Sequence, residues 1–217
     1  MKLIKAGPTQ DQVLKDFFNK QVMSGHIDYR LERPNSFFSQ YQALTPDYST
    51  YVLQNDQQEI GAMASVLFRK GYVNHQEQMV GYVTDLRVQA SRGATLNWEQ
   101  AFMPVLEKEM EERNCRYLFS TLEQYESQAY NTLLRRRKRP GGLPRYHLFR
   151  RFFQVAILGK RFFADEPLST IEISRANLSD IEAIAEYLRE KSVGKPLYFD
   201  LPPEEIERRC HQWPEFS

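Results

Sequence analysis

Residues 91–95, Ser-Arg-Gly-Ala-Thr, follow directly on a run in which Val80, Tyr82, Thr84, Leu86 and Val88 alternate with Gly81, Val83, Asp85 and Arg87. The alternation has the period of a strand. Both of its faces carry apolar groups, which fits a central strand better than an edge. After the small residues a helical pattern begins. A helix N-terminus presents unpaired N–H groups and about half a positive charge, and small side chains there let a phosphate come close to the backbone. Strand, small-residue turn and helix together make a candidate cradle for a diphosphate.

A second feature with chemical content is Arg135-Arg136-Arg137-Lys138-Arg139 with Arg145, Arg150 and Arg151, a stretch without a single acid in a chain of net charge +1. The remainder of the chain is therefore acidic. Three readings compete: cations suited to a helix C-terminus followed by a solvated loop, a contact for a phosphate or an acidic substrate, and sequence-independent binding of nucleic acid. Aromatic residues are not interleaved as single-strand binding requires, so the last is the least favoured. His26, His75, His147 and His211 are scattered without ligand spacing, and no metal site is expected.

The elements that would hold these residues can be taken in order. Residues 2–5 alternate as a short strand. Thr9 or Asp11 caps a helix bearing Val13, Leu14, Phe17, Phe18 and Val22. A second helix starts near Pro34-Asn35-Ser36, carries Phe37, Phe38, Tyr41 and Leu44, and stops before Pro46. Strands follow at residues 50–53, 60–69 and 79–88, with turns at Asn55-Asp56-Gln57 and Asn74-His75-Gln76. A helix over residues 96–113 turns Trp98, Phe102, Val105, Leu106 and Met110 to one face and Glu107, Glu109, Glu111 and Glu112 outward. Pro104 inside it predicts a kink or a later start. Residues 116–122 read as a short buried strand, 124–137 as a helix and 146–158 as one or two strands.

Asp85-Leu86-Arg87-Val88, a short gap, Arg92-Gly93 and a long helix resemble the acetyl-CoA loop of the GNAT acyltransferase superfamily, Arg/Gln-x-x-Gly-x-Gly/Ala. Arg92 and Gly93 fit that pattern; Thr95 and Asn97 stand where Gly and Gly or Ala are usual. The element order β-α-α-β-β-β-α-β-α-β is also that of a complete GNAT domain. The resemblance covers residues 1–159 and implies an α/β (α+β) fold, a mixed, mostly antiparallel sheet with helices on both faces. It implies that acetyl-CoA is the co-substrate, its pantetheine arm along the backbone of Leu86, Arg87 and Val88 and its diphosphate at Arg92, Gly93, Ala94, Thr95, Leu96 and Asn97. In such enzymes a Tyr seven residues after an Asn protonates the leaving thiolate. Here Ser127 and Leu134 occupy those positions, which leaves Tyr130 and Tyr125 as candidates to substitute. Asp85 or Glu123 is the candidate base, acting through water.

Beyond residue 159 the chain begins to repeat itself. Ile4 matches Ile173, Asp11 matches Asp180, Phe18 matches Tyr187 and Lys20 matches Arg189, all at an offset of 169. Pro46-Asp47-Tyr48-Ser49 matches Pro214-Glu215-Phe216-Ser217 at an offset of 168. The expected organisation is a GNAT-like domain over 1–159, a linker over 160–169, and over 170–217 the start of a second copy, with a strand at 170–174 and a helix at 178–191. Lacking its own sheet, that start must pack on the first domain or be poorly ordered.

The expected function is N-acyl transfer from acetyl-CoA to an amine of a small molecule or peptide. The alternatives are a non-catalytic CoA-binding or regulatory module and a transferase that uses aminoacyl-tRNA. Only two cysteines, Cys115 and Cys210, no apolar run near the ~18 residues of a membrane span and no signal-like N-terminus place the expected compartment in the cytoplasm. Acceptor and oligomeric state are left open by the sequence.

Overall fold

The computed structural model describes residues 1–23, 28–122, 147–152, 174 and 176–212, without the side chains of Thr95 and Leu96. Six strands form one sheet: β1 (Lys2–Ala6), β2 (Tyr48–Gln54), β3 (Ile60–Val73), β4 (Gln76–Val88), β5 (Tyr117–Phe119) and, from the far end of the chain, β6 (Leu197–Tyr198). The first five lie side by side in chain order. All pairs are antiparallel except β4 with β5. The expected class, mixed and mostly antiparallel, is what the chain adopts. Asn74 and His75 both take positive φ, the two-residue turn that suits the twist of the β3–β4 hairpin.

Helices cover both faces. On one, α1 (Asp11–Lys20) and α2 (Ser39–Leu44) bring Leu14, Phe18, Phe37, Phe38 and Tyr41 against Val52, Met63 and Leu67. Phe37 is the hub, edge-on to Phe18, Phe38 and Tyr41 at 5.3–5.8 Å between centroids, contacts worth about 1 kcal/mol each beyond the burial itself. On the other face α3 (Arg92–Glu112) lays Phe102, Met103 and Leu106 on Tyr51, Ala64, Val66, Phe68 and Val83. Alternate residues of β3 thus serve opposite cores, the period of two that its sequence carries.

Several expectations need correction: α2 begins at Ser39 rather than near Pro34-Asn35-Ser36, and residues 147–152, within the strands expected over 146–158, form no strand. The third helix begins at Arg92 rather than 96 and runs through Pro104. Pro104 lies on the exposed face, as does Gln100, whose carbonyl loses its partner there. Glu109 does not point outward but is 4% exposed. The strand expected over 116–122 is only Tyr117–Phe119, and Tyr117 is exposed rather than buried.

Residues 178–212 carry a 3-10 turn (Leu178–Asp180), α4 (Ile181–Ser192), β6 and α5 (Pro203–Gln212). At the turn into α4 Asp180 Oδ2 accepts from the Asn177 N–H and Asn177 Oδ1 from the Ser179 N–H, and at the turn into α1 Gln10 Oε1 likewise accepts from the Gly7 N–H. This segment packs on the first. β6 pairs with Tyr72 and Val73, on the stretch of β3 beyond its pairing with β2. Phe199 rests on bare Gly71, where a methyl group would stand 2.9 Å from the ring. Arg208 donates to the carbonyls of Gln42 and Ala43, and Arg209 to that of Leu44, so α5 caps the C-terminus of α2. Among the described residues no helix is long and apolar enough to cross a membrane.

Candidate functional site

β4 is paired with β5 only at Val80, Gly81 and Tyr82. Tyr82 stacks on Phe119 at 4.8 Å, and its hydroxyl bonds Thr121 Oγ1 at 2.8 Å. Past that rung β4 runs on to Val88, paired with β3 alone. One edge of its upper half therefore faces no strand among the described residues. The Gln89 N–H is spent on Gly61 O at 2.8 Å. Main-chain groups alternate sides along an antiparallel pair, so those of Val88 and Leu86 point to the open edge. Arg87 Nη1 donates to Leu86 O at 3.0 Å.

Within this stretch the register slips. Ser65 faces Thr84 but Met63 faces Arg87, and Asp85 sits on the extra residue with φ 53°. This is a β-bulge whose extra residue lies in the left-handed region that Asp tolerates better than most. The bulge turns the Asp85 carboxylate toward the α1–α2 face. There Oδ2 accepts from Arg33 Nη2 at 2.6 Å and from the Tyr41 hydroxyl. Both charged side chains are about nine-tenths buried. Burial first, and then the negative charge of Asp85, push the Tyr41 phenol well above its ordinary value, so it stays a donor. The Arg33 guanidinium also stands 5.1–5.3 Å from the ring centroids of Phe18, Phe37 and Tyr41. Arg87 covers Phe18 as well, at 5.2 Å, and reaches Met23 Sδ.

Beyond Val88 the chain turns into α3. Ser91 is the N-cap, and its hydroxyl accepts from the Ala94 N–H at 3.3 Å. The N–H groups of Arg92 and Gly93 belong to the first turn and have no intrahelical acceptor. Ala94 is fully buried beneath them because Gly61 carries no side chain: a methyl there would lie 3.2 Å from Ala94 Cβ. Over Gly93 the space is open apart from Met1 Sδ, 3.7 Å from where a methyl would stand. Arg92 and Asn97 are exposed, and Asn97 Nδ2 donates to Gly93 O at 2.7 Å.

The structure thus brings together Asp85, Leu86, Arg87, Val88, Arg92, Gly93, Ala94 and Asn97 along one strand edge and the turn that ends it. Thr95 and Leu96 belong to the same first helical turns by their backbone. Tyr130, Tyr125, Glu123, Ser127, Leu134 and the cluster from Arg135 to Arg145 lie outside the described residues, as do the expected linker and residues 170–173 of the expected strand at 170–174. Arg150 and Arg151 are exposed. Sequence reasoning missed Arg33 and Tyr41 as partners of Asp85.

No protein-family model matches the chain, and comparison with curated proteins gives no match. Among solved structures it is similar to a "predicted acetyltransferase" of Clostridium acetobutylicum solved with acetyl-CoA, at 16% identity and a TM-score of 0.47 over 66% of this chain and 95% of the other. It is similar to a ribosomal-protein-alanine N-acetyltransferase of Brucella melitensis, at 12% identity and 0.44 over 67% and 98%. It is also similar to a protein of Bacillus halodurans described as a transcriptional regulator, at 17% identity and 0.43 over 67% and 99%. These likenesses are of chain path at low identity, and names as different as these do not fix an activity.

Proposed function

We propose that the protein transfers an acyl group, acetyl in the simplest case, from a CoA thioester to an amine. One observation carries this reading: β4 parts from β5 after Tyr82, bulges at Asp85, and its open edge leads straight into the N-terminus of α3. A pantetheine arm is an extended chain of amides and can add to such an edge as a strand does. In this reading the main-chain groups of Leu86 and Val88 receive it. The diphosphate lies over the free N–H groups of Arg92 and Gly93, with the Arg92 side chain at hand for charge and Thr95, Leu96 and Asn97 completing the turn.

The chemistry asks for a carbonyl held in place, a base and a path for the leaving thiolate. The amine nitrogen bonds to the acyl carbon and the carbon–sulfur bond breaks. The ammonium proton passes through water to Asp85, and the thiolate takes a proton in turn. Asp85 suits the first task because among the described residues only its Oδ2 is tied, by Arg33 and Tyr41, which leaves Oδ1 to a water or an ammonium. Tyr130 is the proposed proton donor to the thiolate. The acceptor is a small-molecule or peptide amine, and the compartment the cytoplasm. Residues 1–159 are the catalytic unit, 160–169 its linker and 170–217 the opening of a second copy.

The test starts with binding. Acetyl-CoA should raise the melting temperature of the wild type and bind measurably by calorimetry. Gly93→Asp should weaken that binding at least about tenfold, since a carboxylate over the first turn repels phosphate, with little change in the fold. Release of free thiol with a panel of amines then separates an enzyme from a mere binder. A wild type that ignores acetyl-CoA in both measurements sinks the reading.

A further inference from the structure

We infer that Arg33 is a positioning residue: it holds the Asp85 bulge in its left-handed turn and so fixes the open edge of β4. Within a strand, a residue other than glycine holds a φ of 53° at a cost that its surroundings must offset. Here the offset is visible. The bulge turns the Asp85 side chain onto the α1–α2 face, and Arg33 takes its Oδ2 at 2.6 Å.

Arg33 itself cannot swing away. Its own N–H donates to Asn19 Oδ1 at 3.0 Å, its Nη1 reaches Phe37 O at 3.4 Å, and three aromatic rings surround the guanidinium plane. The residue is 8% exposed. A planar fork wedged among rings and bonded in two directions is a fixed point, which a flexible lysine would not be. It belongs to the connection between α1 and α2, fifty-two residues before its partner in the chain. It therefore ties that connection to the strand edge.

The bulge matters because of what a slip would do. Without the extra residue at Asp85 the ladder beyond it would slip by one position, and a one-residue slip exchanges the two faces of a strand. Leu86, now packed toward α3, and Arg87, now over Phe18, would trade sides. The groups of Leu86 and Val88 at the open edge would turn with them. Arg33 thus governs an edge it does not touch. The effect on acyl transfer rests on the function proposed above; the effect on the bulge does not.

The experiment measures amide exchange by NMR in the wild type, Arg33→Met, Arg33→Lys, Asp85→Gly and the Arg33→Met/Asp85→Gly pair. Loss of Arg33 should speed exchange at Arg87 and Gln89, the amides beyond the bulge, by about tenfold or more. The zipped residues 80–82 should keep their protection. Arg33→Lys should show a smaller change of the same kind and carries the test if Arg33→Met does not fold. Glycine accepts positive φ without help, so in the Asp85→Gly background Arg33→Met should add little further exchange at Arg87 and Gln89, whereas an Arg33 that only stabilised the fold as a whole would speed exchange at residues 80–82 as well. Unchanged exchange at Arg87 and Gln89 in both single Arg33 variants overturns the inference, as does full additivity in the pair. Acetyl-CoA titrated into the same samples separates the two claims. A wild type that does not bind it removes the proposed function and leaves the exchange result standing. A wild type that binds it, beside an Arg33→Lys variant weakened about tenfold, joins the two.

Discussion

The protein buries two carboxylates on opposite faces of its sheet and treats them differently. Glu109, on α3, spends both oxygens: Oε2 accepts from Ser49 Oγ at 2.9 Å and Arg113 Nη1 at 2.7 Å, and Oε1 from the Tyr51 hydroxyl and Lys5 Nζ. Arg113 is itself held by Asp47 and lies over the Phe68 ring. Asp85 has a similar set of partners, an arginine and a tyrosine, but both fall on one oxygen. It also stands on a bulge at an unpaired edge, whereas Glu109 stands in a regular helix. A fully satisfied buried carboxylate holds a fold together. One with an oxygen to spare beside an open edge can still take a proton or an ammonium.

Four outcomes would break or sharpen this contrast. Asp85→Asn should lower turnover about a hundredfold, the usual weight of a general base, while Glu109→Gln should leave turnover per folded molecule unchanged. Steady-state kinetics with any accepted amine decides, and a reversal of the two would end the distinction. Glu109→Ala should cost about 3 kcal/mol in urea unfolding, because it orphans the Ser49 and Tyr51 hydroxyls and one side of Arg113.

The acid limb of stability gives a third outcome. Burial by itself would raise the Glu109 carboxyl, but the hydrogen bonds from Tyr51, Ser49 and Lys5 outweigh it and hold it below its ordinary value. A group depressed on folding lends stability above its unfolded value of about 4.3 and loses it as pH falls through the folded one. Unfolding free energy measured from pH 6 down to pH 3 should therefore drop, and Glu109→Gln should flatten that drop. Lys5→Met should be the mildest, under about 1 kcal/mol, since this lysine is 55% exposed and exposed pairs are weak.

Much of the site was legible in the sequence because it is local. Alternation named β4, small residues named the turn, and an apolar stripe named the body of α3, though not its start. Glu109 was misread although the signal was there: it lies seven residues after Phe102 and three after Leu106, on the inward stripe, where a charge demands partners. The bulge could not be read. Alternation on either side of Asp85 is intact, and only the ladder with β3 shows the extra residue. Arg33 was hidden for a related reason. It sits in an irregular connection with no period to interpret, and its meaning comes from a strand far along the chain. The expected boundaries after residue 159 rested on spaced matches. What the structure adds there is the seat of residues 197–212 on β3 and α2.

That seat has a consequence for the order in which the molecule can be made. Tyr72 stacks on Tyr198 at 4.6 Å, and Phe199 meets Phe119 at 6.0 Å, the ring that stacks on Tyr82. At ordinary rates of translation the ribosome needs on the order of ten seconds to travel from the first of these tyrosines to the second. For that interval the far end of β3 waits without its neighbour, and Gly71 without the ring it accommodates. The nascent sheet is finished from downstream, so the rung at which β4 and β5 part gains its last support after both strands have left the ribosome.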